Sequence, residues 1–301
     1  MARATSPSHR RTLRCLLVVA LALGALALLA APALGGTFTP QTGGSPNANR
    51  IDSLYRVALW IALVIFFAVE GALVYSLVRF RARRGAMAAQ IRGHARLEMG
   101  WTVGAAVILV ALAVLTFAKL DSIRTPPNSG PGEAQLAGRP ALYATLDRRL
   151  PPNGKSLNIQ VNGQQYLWRF TYPGGGPTGF GGPYSYQEMV VPTDTTVTLD
   201  VVSQDVAHSW WIPALGGKVD AVPGYVNHTW FKIHKPGLYA GECAEMCGRR
   251  HADMIAVVRA VDPDRFEAWL AQRQADIQAA NKAAESARAR IARQGGLAGS
   301  P

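Results

Sequence analysis

Two long apolar runs, separated by a short basic stretch, constrain this chain more than any other feature. Val57 to Val78 holds 22 residues interrupted only by Glu70, and Met99 to Ala118 holds 20 without a charge. A helix rises about 1.5 Å per residue, so each run is long enough to cross a hydrocarbon layer of about 30 Å. Between them, RFRARRGAMAAQIRGHARLE carries Arg79, Arg81, Arg83, Arg84, Arg92 and Arg96. Short basic loops stay on the cytoplasmic side. The spacing therefore predicts a transmembrane helical hairpin over 51–120, with residues 36–50 and everything after 121 on the outer face.

The N-terminus adds an export signal. Arg10, Arg11 and Arg14 precede CLLVVALALGALALLAAPAL, which reads as a secretory signal peptide over residues 1–35 with cleavage near Ala33 or Gly35. The stretch is long for such a segment, so an uncleaved membrane helix is the competing reading, and Cys15 at its front serves as an apolar residue. Charge follows the same division. Residues 1–138 carry 14 Lys/Arg against 5 Asp/Glu, whereas residues 139–262 carry 11 against 10. A nucleic-acid-binding protein concentrates its basic excess on the folded domain, and this chain does not.

Beyond the second run, TPPNSGPGEAQLAGRP marks a linker over 121–138. Residues 139–262 then break into short β-like runs. SLNIQVNGQQYLWRF alternates, EMVVPTDTTVTLDVVSQDVAHSWWIP is dense in Val and Thr, and HTWFKIHKPGLYAGEC and MIAVVRAV follow, with Gly/Pro-rich turns between them. That pattern predicts an all-β sandwich or small barrel. Residues 263–301 are Ala-rich and helix-prone, and Phe266, Trp269 and Leu270 are expected to pack the first turns onto the domain.

The stretch GECAEMCGRRHADM, residues 241–254, holds Cys243, Cys247, His251 and Met254. An exported domain permits disulfides, but a bridge between residues four apart closes little. Zinc accepts two thiolates and an imidazole but has little use for a thioether, whereas soft sulfur with imidazole favours copper. His208, closing the run VTLDVVSQDVAHSW, offers a second imidazole. His9, His94, His228 and His234 lack such a setting and read as surface or structural residues. Two thiolates, two imidazoles, one thioether and a loop carbonyl make six donors, too many for one tetrahedral ion. Two ions of four bonds each need eight, which two bridging thiolates and four other donors supply.

The stretch C-A-E-M-C-G-R-R-H-A-D-M, preceded by D-V-A-H-S-W and by K-V-D-A-V-P-G at 218–224, resembles subunit II of the haem-copper cytochrome c oxidases over roughly residues 50–262. The resemblance implies a cupredoxin-like Greek-key sandwich. It also implies a binuclear copper A centre ligated by His208, Cys243, Cys247, His251, Met254 and the backbone carbonyl of Glu245. The Glu245 side chain would reach a magnesium ion shared with subunit I. The implied role is electron relay from cytochrome c to haem in subunit I of an aa3-type or related oxidase, which reduces oxygen and pumps protons in a bacterial plasma membrane with the copper domain outside. Tyr166 and Trp168, in G-Q-Q-Y-L-W where relatives show G-x-Q-W-x-W, are then expected at electron entry. Asp205 is expected to orient the site or contribute to docking. Glu98, in E-M-G-W, is expected at the entry of a proton channel in subunit I, and Glu70 is expected to face protein.

Three other classes fit the sequence less well. A copper-free quinol oxidase subunit lacks the Cys and His ligands present here. A nitrous oxide reductase needs a propeller domain for which no length remains, and a copper chaperone needs less saturated ligation. A fused cytochrome c domain would show C-x-x-C-H, which does not occur.

Overall fold

The computed structural model describes residues 40–41, 43–81, 90, 92–129, 151–152, 155–174 and 182–297, the last four by backbone only. The expected signal segment 1–35, the centre of the basic loop and the second half of the expected linker lie outside the described residues. Helix α1 spans Pro46–Arg79 and α2 spans Ala95–Arg124. At 1.5 Å per residue they are about 51 and 45 Å long, so each extends beyond the apolar layer it can cross. Pro46 at the start of α1 sits where the missing N–H costs nothing. α2 opens on a reciprocal cap: His94 Nδ1 accepts the Leu97 N–H at 3.1 Å, and the Glu98 carboxylate accepts the His94 N–H at 3.0 Å. The most apolar stretches of both helices bury none of their residues, so Trp60, Phe66, Phe67, Leu109 and Phe117 point outward to lipid or a neighbouring chain. Glu70 is exposed midway along α1.

The two helices are joined where they meet the β-domain. Lys119 Nζ donates to Ser53 Oγ at 2.7 Å, and the Arg50 guanidinium donates to the Ser122 carbonyl. Asn47 Nδ2 donates to the Trp230 carbonyl at 2.8 Å, while the Trp230 indole N–H donates to the Ile123 carbonyl at 2.9 Å. One residue of the domain thus receives from α1 and gives to α2.

The domain is a sandwich of two mixed sheets. The strands are β1 (Leu157–Gln164), β2 (Leu167–Thr171), β3 (Tyr184–Tyr186), β4 (Glu188–Pro192), β5 (Thr196–Ser203), β6 (His208–Trp211), β7 (Val219–Ala221), β8 (Asn227–Lys232), β9 (Gly237–Cys243) and β10 (Ile255–Val261). One sheet runs β3-β2-β1-β5-β8 and the other β4-β10-β9-β6-β7. Leu157, Ile159 and Val161 of β1 and Val197, Leu199 and Val201 of β5 are fully buried against Met189, Val191, Ala256 and Val258 of the opposite sheet. Full burial of such side chains stabilises by about 1.5–3 kcal/mol each. β1 and β5 pair in parallel, and parallel strands are usually buried on both faces. The opposite face of this pair is accordingly covered too, and its polar groups pair there. Asn158 Nδ2 donates to Asp200 Oδ2 at 3.1 Å, and His228 Nδ1 lies 2.8 Å from Asp200 Oδ1.

Helix α3, Pro263–Leu297, follows β10. Phe266 is 2 % exposed, and Tyr172 meets the Phe266 and Trp269 rings at centroid distances of 6.2 and 5.1 Å. From residue 281 to 293 the helix is exposed apart from Ala287.

Candidate metal centre

β9 feeds the Cys243–Met254 loop and β10 leaves it. The neck is closed by the Cys243 N–H, which donates to the Met254 carbonyl at 2.9 Å. β6 pairs with β9 through Trp210 opposite Cys243, and the Ala244 N–H donates to the Ser209 carbonyl at 2.8 Å. This register sets His208, the first residue of β6, beside the neck. A side chain on Gly163 of β1 would meet the His208 ring at 3.0 Å, so glycine permits that close approach.

Six donor atoms gather around two sulfurs. Cys243 Sγ and Cys247 Sγ lie 3.9 Å apart, both as free thiols. His208 Nδ1 is 3.9 Å from Cys243 Sγ and His251 Nδ1 is 3.6 Å from Cys247 Sγ. Met254 Sδ stands 3.9 Å from Cys247 Sγ, and the Glu245 carbonyl oxygen 3.3 Å from Cys243 Sγ. The ligating atoms of His208, Cys243 and Cys247 all lie within 4.8 Å of one another. His208 and Met254 are fully buried and the two cysteines nearly so, while His251 is half-buried.

The electrostatics of this group call for a cation. Burial opposes ionisation of Cys243, but its contact with His208 and with loop backbone outweighs that and brings its pKa to about 6. Burial and the neighbouring Cys243 charge push Cys247 up to about 11. Without a metal, then, one sulfur ionises at the expense of the other; a soft cation between them lets both serve as thiolates. His208 is held from behind, since its Nε2 lies 2.8 Å from Asp205 Oδ1. Burial disfavours the imidazolium, yet Cys243 and Asp205 together raise the His208 pKa. A carboxylate behind a ligating imidazole fixes its tautomer and ring orientation. Donor types, spacing and this backing carboxylate all fit a thiolate–imidazole copper site.

The other candidate residues divide. Tyr166 is half-buried at the β1–β2 turn, and its hydroxyl accepts the Arg249 N–H at 3.1 Å. Trp168, expected beside it at electron entry, is fully buried, its ring 5.8 Å from the His208 ring, so it has no surface for a docked partner. The Glu245 side chain is exposed, its carboxylate accepting the Met246 N–H at 3.2 Å. Glu98 belongs to the cap of α2 and is not among the residues gathered at the loop. Gln165 went unnoticed in the sequence. Its side-chain amide donates to the Cys247 carbonyl at 2.6 Å and its backbone N–H to Asp205 Oδ2 at 2.7 Å. It is the Q of the G-x-Q-W-x-W resemblance, but nothing local tells what its side chain touches, because that partner is 82 residues away.

Comparison with known proteins agrees with this picture. The family model described as cytochrome c oxidase subunit II, periplasmic domain, matches residues 185–261, and the one described as its transmembrane domain matches residues 33–118. Cytochrome c oxidase subunit 2 of Synechocystis is 32 % identical over 250 residues, covering 75 % of this chain and 73 % of that protein. The same subunit of Thermostichus vulcanus is 31 % identical over 260 residues, 77 % of each chain. That of Alkalihalophilus pseudofirmus is 30 % identical over 247 residues, 78 % of this chain but 65 % of the relative's length. Among solved structures, the periplasmic domain of subunit II of the cytochrome oxidase of Bradyrhizobium japonicum shares 32 % identity at a TM-score of 0.37, covering 40 % of this chain and 94 % of that one. With a hairpin of two apolar helices, a β-domain and these relatives, the chain belongs to the cytochrome c oxidase subunit II family.

Proposed function

We propose that this chain is the electron-entry subunit of a respiratory cytochrome c oxidase of the aa3 or a related type. It would hold a binuclear copper A centre through His208, Cys243, the Glu245 carbonyl, Cys247, His251 and Met254. The observation that carries the reading is the connected group of six donors, each within 3.3–3.9 Å of one of two central sulfurs. Bound there, copper would supply one-electron redox chemistry with little rearrangement of its ligands.

The chain's own residues do the rest. Asp205 keeps His208 Nε2 engaged so that Nδ1 is the nitrogen turned to Cys243. The buried sulfurs exclude water, and six protein donors leave no position for a reactant, so oxygen chemistry belongs elsewhere. Tyr166, half-buried above the loop, is the aromatic placed to receive electrons from a docked cytochrome c. Trp168 lies deeper, against His208, on the inward side. Delivery is to haem in subunit I, where oxygen is reduced to water and protons are pumped. The exposed Glu245 carboxylate is available to a magnesium ion shared with that subunit. Glu98 stands at the cytoplasmic start of α2, where a proton channel of subunit I would open. Glu70, exposed on α1, is assigned to contact with the same subunit because a carboxylate in lipid is costly.

Metal analysis and electron paramagnetic resonance of the full-length chain test the reading. Two copper ions per polypeptide and a seven-line mixed-valence spectrum are expected. One ion with a four-line spectrum would overturn it.

A further inference from the structure

We infer that Gln165 is a positioning residue that ties the histidine side of the metal centre to its cysteine side. This deepens the copper reading and rests on it. Two hydrogen bonds from this one residue reach opposite arms of the site. The backbone N–H donates to Asp205 Oδ2 at 2.7 Å, and Asp205 holds His208 through its other oxygen at 2.8 Å. The side-chain amide donates to the carbonyl of Cys247, a central sulfur residue, at 2.6 Å.

The loop is shaped to receive this contact. Gly248, directly after Cys247, adopts φ +131, and a Cβ there would stand 2.7 Å from Tyr166 Oη and 2.9 Å from Gln165 Nε2. The positive φ favours glycine here, and its bare Cα leaves the ends of the Tyr166 and Gln165 side chains room against the loop. Beside it the Arg249 N–H reaches Tyr166 Oη at 3.1 Å, so backbone groups on either side of Gly248 are engaged by consecutive residues of one turn. β9, β10 and β6 position the cysteines and His208 from below, through the Cys243–Met254 and Ala244–Ser209 bonds. Those bonds leave the carbonyl of Cys247, at the middle of the loop, to be held from above by the Gln165 amide. Gln165 itself is exposed, so burial of its own side chain is no reason for its presence. Its two donors are.

The test uses the full-length chain in detergent, loaded with copper. Gln165→Met keeps length and apolar bulk but removes the donor, and Gln165→Glu keeps shape while turning the donor into an acceptor. Under reducing conditions, both variants should surrender copper to the copper(I) chelator bathocuproine disulfonate about tenfold faster than the parent, as loss of an outer-shell partner costs about 10–100-fold in metal affinity. Their hyperfine pattern should shift, with circular dichroism unchanged. Release and spectrum equal to the parent's in Gln165→Met would overturn the proposal. A second readout needs no copper: in the metal-free chain, the amides of Gly248 and Arg249 should exchange hydrogen faster in Gln165→Met. Accelerated exchange in Gln165→Met, together with a parent chain that fails to bind a copper pair, would sink the copper reading and leave the tie standing. Unchanged exchange would sink the tie.

Discussion

Tyr166 shows most clearly how a single residue sets this site apart. Tyr166 stands where the motif of the resemblance has tryptophan; tyrosine keeps an aromatic ring and adds a hydroxyl, which here accepts the Arg249 N–H at 3.1 Å. Half-buried over the loop, it touches both Gly248 and Arg249, whereas Trp168 is sealed inside. Tyr166→Leu should slow cytochrome c oxidation about tenfold while the copper spectrum survives, because loss of the ring costs coupling and water can replace the hydroxyl as acceptor at an exposed amide. Stopped-flow kinetics beside the absorption spectrum of the variant would check this; an unchanged rate would remove Tyr166 from electron entry. Cys243, Cys247, His251 and Met254 were legible from sequence because they crowd one short loop. His208 was legible only as an imidazole at a strand end 35 residues before Cys243, and the contacts of Gln165 were hidden because its partners meet it only after β1, β6 and β9 come together.

At the scale of elements, the strands and spans followed from periodicity, but their pairing did not. Nothing in SLNIQVNGQ announces that β1 lies parallel to β5 with Asn158 held by Asp200 on its far face. α3 divides into a working part and a free part. Phe266 is 2 % exposed against Tyr172, while residues 281–293 are exposed apart from Ala287. Phe266→Ala should therefore destabilise the domain by about 3 kcal/mol, the cost of emptying a buried aromatic site. Removing residues 281–301 should leave the melting temperature within about 2 °C of the parent's, since an exposed helix contributes little packing. Differential scanning calorimetry of the two variants separates these outcomes. A large loss on truncation would mean that the distal helix has a partner within the chain.

On the whole-molecule scale, the chain's excess positive charge belongs to the membrane-side part, and residues 139–262 are nearly balanced at 11 Lys/Arg against 10 Asp/Glu. Charge steering of a partner toward a near-neutral domain is weak, and apolar contact must carry more of the docking. Around the candidate centre, Met246 is 77 % exposed and Val206 38 % exposed, which leaves apolar surface there. Turnover with a soluble cytochrome c should change by less than about threefold between 20 and 200 mM salt, where steered encounters fall steeply. A steep salt dependence measured on the assembled oxidase would show that local charge, rather than the net balance, governs docking.

The order of the amino acids was enough to decide the two apolar spans, to predict their orientation and to mark the candidate metal donors of one loop. Each of these depends on residue type and spacing along a continuous stretch, whether twenty apolar residues, a cluster of arginines, or sulfur and imidazole within one loop. Tertiary structure alone decided that His208 stands beside Cys243, that Asp205 backs its ring, that Trp168 is buried and that Gln165 spans both arms of the centre. Those relations cross between strands distant in sequence, and they arise from sheet register and from a glycine that lets one turn rest on another, neither of which has a local signature.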